Sequence, residues 1–299
     1  MDLSIILVSY NDLARLRACL ASLEGSPSGG GSEILVVDNA SNDGTVEAVR
    51  REFPAVRVIA NPRNEGFPAA NNRGAREARG RFLLFLNTDT IVPPGAPAAL
   101  LGRLAPDAAA GAVGPALVRA PGDYQVSFGN RVSYLGQVFQ KFVLNPAWKR
   151  ALRAPARRAC GERTVGWLSA ACLLCRREAF EAVGGYDETF FLYFEDIDLC
   201  YRMRAAGWKL LFVPAIEVRH EGGATTSGTP EVRAASRFEY RRSQLHFYRR
   251  HNSAVSRRLL RASLRINVAF LGLRGAFRGE AGRGLKARYR GLLRGEDGP

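Results

Sequence analysis

"LSIILVSYNDLARLRACLASLEGSPSGGGSEILVVD", Leu3–Asp38, contains two short, nearly continuous apolar runs, 3–10 and 33–38, with an amphipathic segment between them. Runs of this kind suit strands covered on both faces, and hence a parallel sheet. In the segment between, Leu13, Leu16, Leu20 and Leu23 repeat at the spacing of one helix face. Two more runs follow, "VRVIA" (56–60) and "RFLLFLN" (81–87). Asn42 or Asp43 is placed to cap the helix before the first of these, with Glu47 in its opening turns. Strand–helix alternation predicts an α/β fold with right-handed crossovers and a mostly parallel central sheet flanked by helices. In open sheets of this kind ligands sit at the carboxyl ends of the strands. Those ends carry Ser9-Tyr10-Asn11, Asp38-Asn39 and Asn87-Thr88-Asp89-Thr90.

The pattern weakens further along. From 105 to 163 Gly, Pro and aromatics mix with little periodicity, which reads as extended loops and short strands near an acceptor. "TVGWLSAACLLCRR" (164–177) reads as a strand, followed by a helix from Arg177 to Val183 that Gly184-Gly185 ends. Another helix is expected from Glu195 to Ala206, stopped by Gly207. "KLLFV" and "IEVRH" read as two short strands around Pro214, and 221–230 as a mobile Gly/Ser/Thr loop.

The net charge is +15, unevenly spread. Residues 231–299 hold 17 Lys+Arg against 5 Asp+Glu, whereas residues 1–230 hold 26 against 23. The division predicts a main domain over 1–230 and a basic helical extension over 231–299 that meets an anionic surface. Within the extension Leu259, Ile266, Phe270, Leu273 and Phe277 recur as an apolar stripe beside Arg258, Arg261 and Arg265. That is a basic amphipathic pattern suited to a membrane surface through residues 255–299, or to packing on the main domain. No apolar run has the roughly 18–20 residues a membrane-spanning helix needs. The N-terminus reads as a buried strand rather than a signal peptide, so a cytoplasmic protein is expected, peripheral on the membrane's inner face if the extension docks there. Five scattered cysteines suit reduced core thiols. Cys172 and Cys175 have the spacing of half a zinc site, but no second pair is present.

Several polar residues invite chemical readings. Asp89 ends an apolar strand, where a carboxylate can hold a hard cation or simply begin a turn. His220 is the one histidine before the extension. "NPRNEGFPAANNRGAR" (61–76) places Gly66 before a helix start, where backbone N–H groups can face a ligand. "FFLYFEDIDLCYR" (190–202) delivers Glu195, Asp196 and Asp198 behind an aromatic run. Asp198 and Arg202, four apart, can pair on the surface. Glu195 and Asp196 should be drawn toward apolar walls, which raise a carboxyl pKa toward a range useful for a base.

Taken in order, "SIILVSYN", "ILVVDNASNDGT", "NPRNEGFPAANNRG", "FLLFLNTDT", "GWLSAACLLCRREAFEAVGGYDETFFLYFEDIDLCYRMRAAGW" and "VRHEGGAT" resemble glycosyltransferase family 2, with its GT-A fold. The resemblance runs from Ser4 to about Ala224 and is closest to the bacterial rhamnosyltransferase-like branch. It implies that Ser9, Tyr10 and Asp38 hold the base and ribose of a nucleoside diphosphate sugar. Asn11, Asn64, Gly66, Asn71, Asn87 and Thr88 would line the same site. Asp89 and His220 would hold Mg²⁺ or Mn²⁺, Asp196 would be the catalytic base, and Trp167 and Glu195 would shape the acceptor side. The family's DXD stands here as Asn87-Thr88-Asp89, without its first acid.

The implied activity is inverting, metal-assisted transfer of a sugar, with dTDP-L-rhamnose as donor and a cell-surface glycan or lipid-linked acceptor. A nucleotidyltransferase of related fold would want a Gly-rich loop after the first strand, and "NDLARLR" has no glycine. A non-enzymatic binder of nucleic acid or another anionic surface is the remaining alternative. No zinc-finger or RNA-binding signature is present, so nucleic acid is not expected as a partner.

Overall fold

The structure is a computed structural model that describes residues 2–24, 31–119, 123–134, 136, 161–222, 230–273 and 279–294. The expected alternation holds from the start: β1 (Leu3–Ser9), α1 (Leu13–Glu24), β2 (Ser32–Asp38), α2 (Thr45–Glu52), β3 (Arg57–Ala60), α3 (Phe67–Glu77) and β4 (Phe82–Asn87). These four strands run parallel in the order β3-β2-β1-β4. β1 and β4 are apolar on both faces because both faces are covered. Leu16, Cys19, Leu20 and Leu23 of α1 pack into the core on one side, and α3 covers the other. A Cβ on Gly74 of α3 would fall 2.6 Å from Ile6 Cγ2, so the helix lies this close to β1 only with glycine there. The helix α2 begins at Gly44, in the left-handed region, rather than at Asn42 or Asp43. Asp43 still helps, since its Oδ1 accepts the Thr45 N–H at 3.2 Å.

The second half adds β5 (Thr90–Ile91), α4 (Ala96–Leu104), β6 (Ala110–Val118), β7 (Phe128–Gly129), β8 (Arg163–Thr164), β9 (Trp167–Leu168), β10 (Cys172–Arg176), α5 (Arg177–Ala182), α6 (Glu195–Ala205) and β11 (Lys209–His220). The sheet continues as β4-β10-β6-β11-β5, with β10 antiparallel to both neighbours and β6 parallel to β11. β7 and β9 form a separate two-stranded ribbon.

Three expectations are corrected here. The stretch after 105 contains a central strand, β6, buried at all nine positions. Gly111, Gly114 and Pro115 hide it from a pattern reading. A Cβ on Gly114 would lie 3.0 Å from Leu168, so small residues let the ribbon close over the strand. Pro115 is tolerated because the β10 register stops at Val113, leaving β11 as its sheet neighbour. The run 164–177 is three short strands rather than one, split at Gly166 and at Ser169–Ala171. Conversely, the two strands expected around Pro214 are one strand, β11, whose register shift between Val213 and Glu217 absorbs the proline. Gly184, Gly185 and Gly207 end α5 and α6 as expected, all with positive φ.

Cys172 and Cys175, three apart on β10, face opposite cores, so they cannot share a metal ion. The four described cysteines are buried free thiols, and Cys160 lies outside the described residues. Most of the loop expected over 221–230 also lies outside them.

After the sheet come α7 (Pro230–His251), α8 (Ala254–Leu273) and α9 (Gly279–Arg294). Phe238, Leu245, Phe247 and Tyr248 of α7 join Phe190 and Phe194 in a third core, to which Leu260 and Leu264 of α8 add. The packed side of α8 is therefore not the stripe singled out from sequence, and Val255, Leu259, Ile266 and Phe270 are exposed. Phe277 and the side chain of Leu273 lie outside the described residues. Among the described residues no helix is long and apolar enough to cross a membrane.

Candidate functional site

Parallel strands leave their last residues at one edge, and two of these end in buried polar groups. Ser9 and Asp38 pair across β1 and β2. Among the described residues Ser9 Oγ and Asp38 Oδ1 are buried with no hydrogen-bond partner, although Asp38 Oδ2 accepts the Ser41 N–H at 3.0 Å. Buried polar atoms left this way cost about 1–3 kcal/mol unless something else meets them. Beside them Tyr10 is 51% exposed, a flat ring open to solvent. Asn11 takes a positive φ of 50° and links the two strand ends: its N–H donates to Ser41 Oγ, and its Oδ1 accepts from Asn42 N–H.

Residues 61–66 are organised by Asn39, a strand-end residue to which the sequence reading gave no role of its own. Its Oδ1 accepts from Asn61 Nδ2 at 2.9 Å and Glu65 N–H at 3.2 Å, while its Nδ2 donates to Asn64 Oδ1 and the Gly66 carbonyl. Asn64 Oδ1 also accepts the Gly66 N–H. Gly66 has φ +87°, and a Cβ there would stand 2.7 Å from the Phe191 carbonyl oxygen. That carbonyl accepts the Phe67 N–H at 2.9 Å, which ties this loop to the aromatic run before α6. Asn71 is buried, and its Nδ2 donates to the Phe67 carbonyl within α3.

At the end of β4, Asp89 Oδ1 stands 3.1 Å from His220 Nε2, and Asn87 Nδ2 is 3.4 Å from the same nitrogen. Antiparallel pairing of β5 with β11 creates this meeting, since His220 pairs with Thr90. Burial pushes the Asp89 carboxyl up, but the hydrogen bond and charge of His220 prevail and hold it below the usual carboxylate range. Thr88 does not face the same way: its hydroxyl donates to Asp12 Oδ2 at 2.8 Å. Asp12, also bonded to Arg15, is a further acid at this edge that sequence reading missed. No group of three His, Cys, Asp or Glu side chains converges among the described residues. A carboxylate oxygen and an imidazole nitrogen face to face do fit two positions of a hard-to-borderline divalent ion, with the rest left to a ligand or water.

The second acidic element begins α6. Tyr193 and Phe194 precede it with φ of 72° and 67°, left-handed conformations that cost of order 1–3 kcal/mol each for bulky residues. They are held from α7. Ser243 Oγ donates to the Leu192 carbonyl, Tyr193 Oη bonds Ser236 Oγ, and the Phe194 ring packs on Tyr240 and Phe247. This turn throws Glu195 and Asp196 to opposite situations. Glu195 is 6% exposed, and its Oε2 has no hydrogen-bond partner among the described residues. Asp196 is half-buried, and its carboxylate accepts from Ala170 N–H at 3.2 Å and Ile197 N–H at 2.8 Å. Burial raises both pKa values. Glu195 rises furthest, helped by the Asp196 charge, while the two N–H bonds restrain Asp196. Burial therefore disfavours a charge on Glu195 more strongly than on Asp196.

The two acidic elements share an edge. Asn87 N–H, at the end of β4, donates to the Ala171 carbonyl, and the neighbouring Ala170 N–H donates to Asp196. Two residues of backbone thus connect the strand carrying Asn87 to the helix carrying Asp196. Trp167 is half-buried in the ribbon, opposite Gly129, and packs on both the second and third cores.

Asp198 corrects another expectation. Its pairing with Arg202 is present at 2.7 Å, but it is not on the surface. Asp198 is fully buried, and its Oδ1 meets His251 Nε2 at 2.6 Å with Arg250 at 3.6 Å. The helix α7 covers it, which local spacing could not reveal.

The arrangement can be compared with known proteins. Residues 4–184 match the family profile described as Glycosyl transferase family 2. The chain is 34% identical over 282 residues to N-acetylglucosaminyl-diphospho-decaprenol L-rhamnosyltransferase of Mycobacterium tuberculosis, covering 89% of this chain and 90% of that one. Among solved structures it superposes on GalNAc-T7 with UDP, GalNAc and Mn²⁺ (TM-score 0.59, 22% identity, 83% of this chain but only 50% of that one). It also superposes on the mannosyltransferase PcManGT of Pyrobaculum calidifontis with GDP-Man and Mn²⁺ (TM-score 0.59, 19% identity, 97% and 84%). At these identities the two structures establish a shared fold, GT-A.

Proposed function

The chain belongs to glycosyl transferase family 2, and we propose from that premise that it moves a sugar, with inversion, from a nucleoside diphosphate donor to a hydroxyl of a lipid-linked glycan. The observation that carries the reading is the shared edge: a half-buried carboxyl group, Asp196, tied through Ala170 and Ala171 to the end of the strand that leads to Asp89. In this reading the acceptor O–H gives its proton to Asp196 as its oxygen bonds the anomeric carbon. The bond from that carbon to the diphosphate oxygen breaks, and the nucleoside diphosphate leaves. A single positioned base contributes typically 10²–10⁴-fold. Burial and the Asp196 charge both favour the neutral form of Glu195, which would keep a second charge away from the base.

On the donor side, Tyr10 would stack on the base, and the unmet atoms of Ser9 and Asp38 would bond base or ribose. Asp89 and His220 would hold Mg²⁺ or Mn²⁺ against the donor diphosphate. The bound ion would offset the charge that develops on the leaving group. With Asn87 where an acid is common, two protein ligands suffice only when the donor supplies the others, so metal binding should depend on nucleotide.

The relative's name supports L-rhamnose as the sugar and a decaprenyl-diphosphate-linked sugar as the acceptor class. The exposed face of α8 supports an anionic membrane surface as partner. Val255, Leu259, Ala262 and Ile266 recur at helical spacing, all exposed, with Arg258 and Arg265 exposed alongside.

The test is a panel of sugar nucleotides with Mg²⁺ or Mn²⁺, read as nucleoside diphosphate release with and without a prenyl-diphosphate-linked acceptor. Acceptor-dependent release from dTDP-L-rhamnose is expected. Absence of release from every donor at either metal defeats the reading. Co-sedimentation with anionic vesicles, lost in Leu259→Asp/Ile266→Asp, tests the docking face separately.

A further inference from the structure

The sequence departs from the family pattern on the acidic side of the candidate metal centre, which places more demand on the histidine. Gln125 holds His220 from outside that centre through two hydrogen bonds. Gln125 Oε1 lies 2.8 Å from His220 Nδ1, and Gln125 Nε2 donates to the His220 backbone carbonyl. A carbonyl oxygen can only accept, so the second bond fixes which end of the amide is nitrogen. The oxygen therefore faces Nδ1, and an amide oxygen can only accept as well. Nδ1 must carry the hydrogen. In the neutral ring Nε2 is then a bare lone pair, aimed at Asp89 Oδ1 3.1 Å away. Two acceptors facing each other repel unless a cation lies between them, either a second proton on Nε2, which gives Asp89 its hydrogen bond in the metal-free protein, or a metal ion.

Gln125 itself is brought there by the fold. Its N–H donates to the Leu117 carbonyl at 2.8 Å, and the chain turns back alongside β6 at the Val118–Tyr124 bridge. β11 runs parallel to β6 on the other side, with Arg219 opposite Val118, so its last residue, His220, arrives beside the returning segment.

We propose that Gln125 is the positioning residue of the metal centre: it holds His220 in the Nδ1–H tautomer so that Nε2 serves as a ligand. This rests on the reading of His220 as a ligand. Groups in this outer position change metal affinity typically by 10–100-fold when removed.

The experiment is Mn²⁺ titration of the full chain with dTDP present, read by the electron paramagnetic resonance signal of free Mn²⁺, for the wild type, His220→Ala and Gln125→Met. His220→Ala should weaken binding strongly, and Gln125→Met by 10–100-fold. If His220→Ala binds as the wild type does, the ligand reading itself fails, and the proposal with it. If His220→Ala weakens binding while Gln125→Met stays within twofold of wild type, the ligand reading stands and Gln125 has no such role. Nitrogen-15 spectra of the neutral His220 ring give a readout that needs no Gln125 variant. With three histidines in the chain, His220→Ala assigns the signal. An Nδ1–H tautomer is expected, and an Nε2–H tautomer overturns the proposal.

Discussion

Asp89 and Asp196 are acids at one edge of one sheet, yet their surroundings act on them in opposite directions. Asp89 meets a histidine, and its carboxyl is held below the ordinary range. Asp196 meets two backbone N–H groups and a second buried acid, and its pKa is raised. A carboxylate that must bind a cation benefits from staying ionised, and one that must take a proton benefits from being a stronger base. The geometry differs in the same sense. Asp89 stands at the end of a rigid strand, whereas Asp196 follows two left-handed aromatic residues pinned by α7.

The comparison can be broken most directly at Asp196. Asp196→Asn should lower transfer by about 10²–10⁴-fold with donor affinity unchanged by calorimetry. Retained transfer would remove the base from this position. Next comes the support beneath it. Asp198→Ala leaves Arg202 and His251 without their buried partner and should cost about 3–5 kcal/mol in denaturant unfolding. A loss under 1 kcal/mol would mean that α7 is not anchored through this acid.

The joint between the two regions is Gly66. Gly66→Ala puts a methyl against the Phe191 carbonyl in a left-handed conformation, for a cost of order 1–3 kcal/mol. Because that carbonyl belongs to the aromatic run before α6, donor affinity and turnover should fall together. A stable variant with normal kinetics would uncouple the halves.

The smallest effect is the sharpest test of the contrast, a pair of pH slopes with different signs. Glu195 has a raised folded pKa, so the folded state keeps its proton longer and this group's stability contribution falls as pH rises from about 4. Glu195→Gln should therefore raise Tm at pH 7 and lose that advantage toward pH 4. Asp89 has a lowered pKa, so its contribution is present above pH about 4 and lost as pH falls through the folded value. Asp89→Asn should lower Tm at pH 7, in metal-free buffer, with the deficit closing at acid pH. Melting curves across pH check both, and parallel slopes for the two variants would refute the assigned directions.

Much of this site can be read along the chain because strand ends are local features. An apolar run that stops at Ser9, Asp38 or Asn87 states where its polar end will lie, and the aromatic run before Glu195 states that acids will meet a wall. The partners of Asn39, and the roles of Asp12 and Gln125, could not be found in this way. Asn39 acts on a loop 22–27 residues away, Asp12 on Thr88, and Gln125 on a histidine 95 residues later. Each is an ordinary polar residue in a turn or at a helix start until its distant partner is placed. The strand β6 was hidden for a related reason: its glycines and proline make sense only beside Leu168 and the end of the β10 register.

By itself, then, the sequence determined the four apolar strands of a parallel half-sheet, the order of motifs and the residues at the strand ends. Periodic burial is decided by the nearest few residues, and those are contiguous in the chain. Only the tertiary structure decided that Asp198 is buried, that α7 braces the helix of Asp196, and that the packed side of α8 is Leu260 and Leu264, with Leu259 and Ile266 left exposed. These outcomes depend on which surfaces meet across more than 40 residues. Burial turns a pair that local spacing places on the surface into one that several elements must satisfy together.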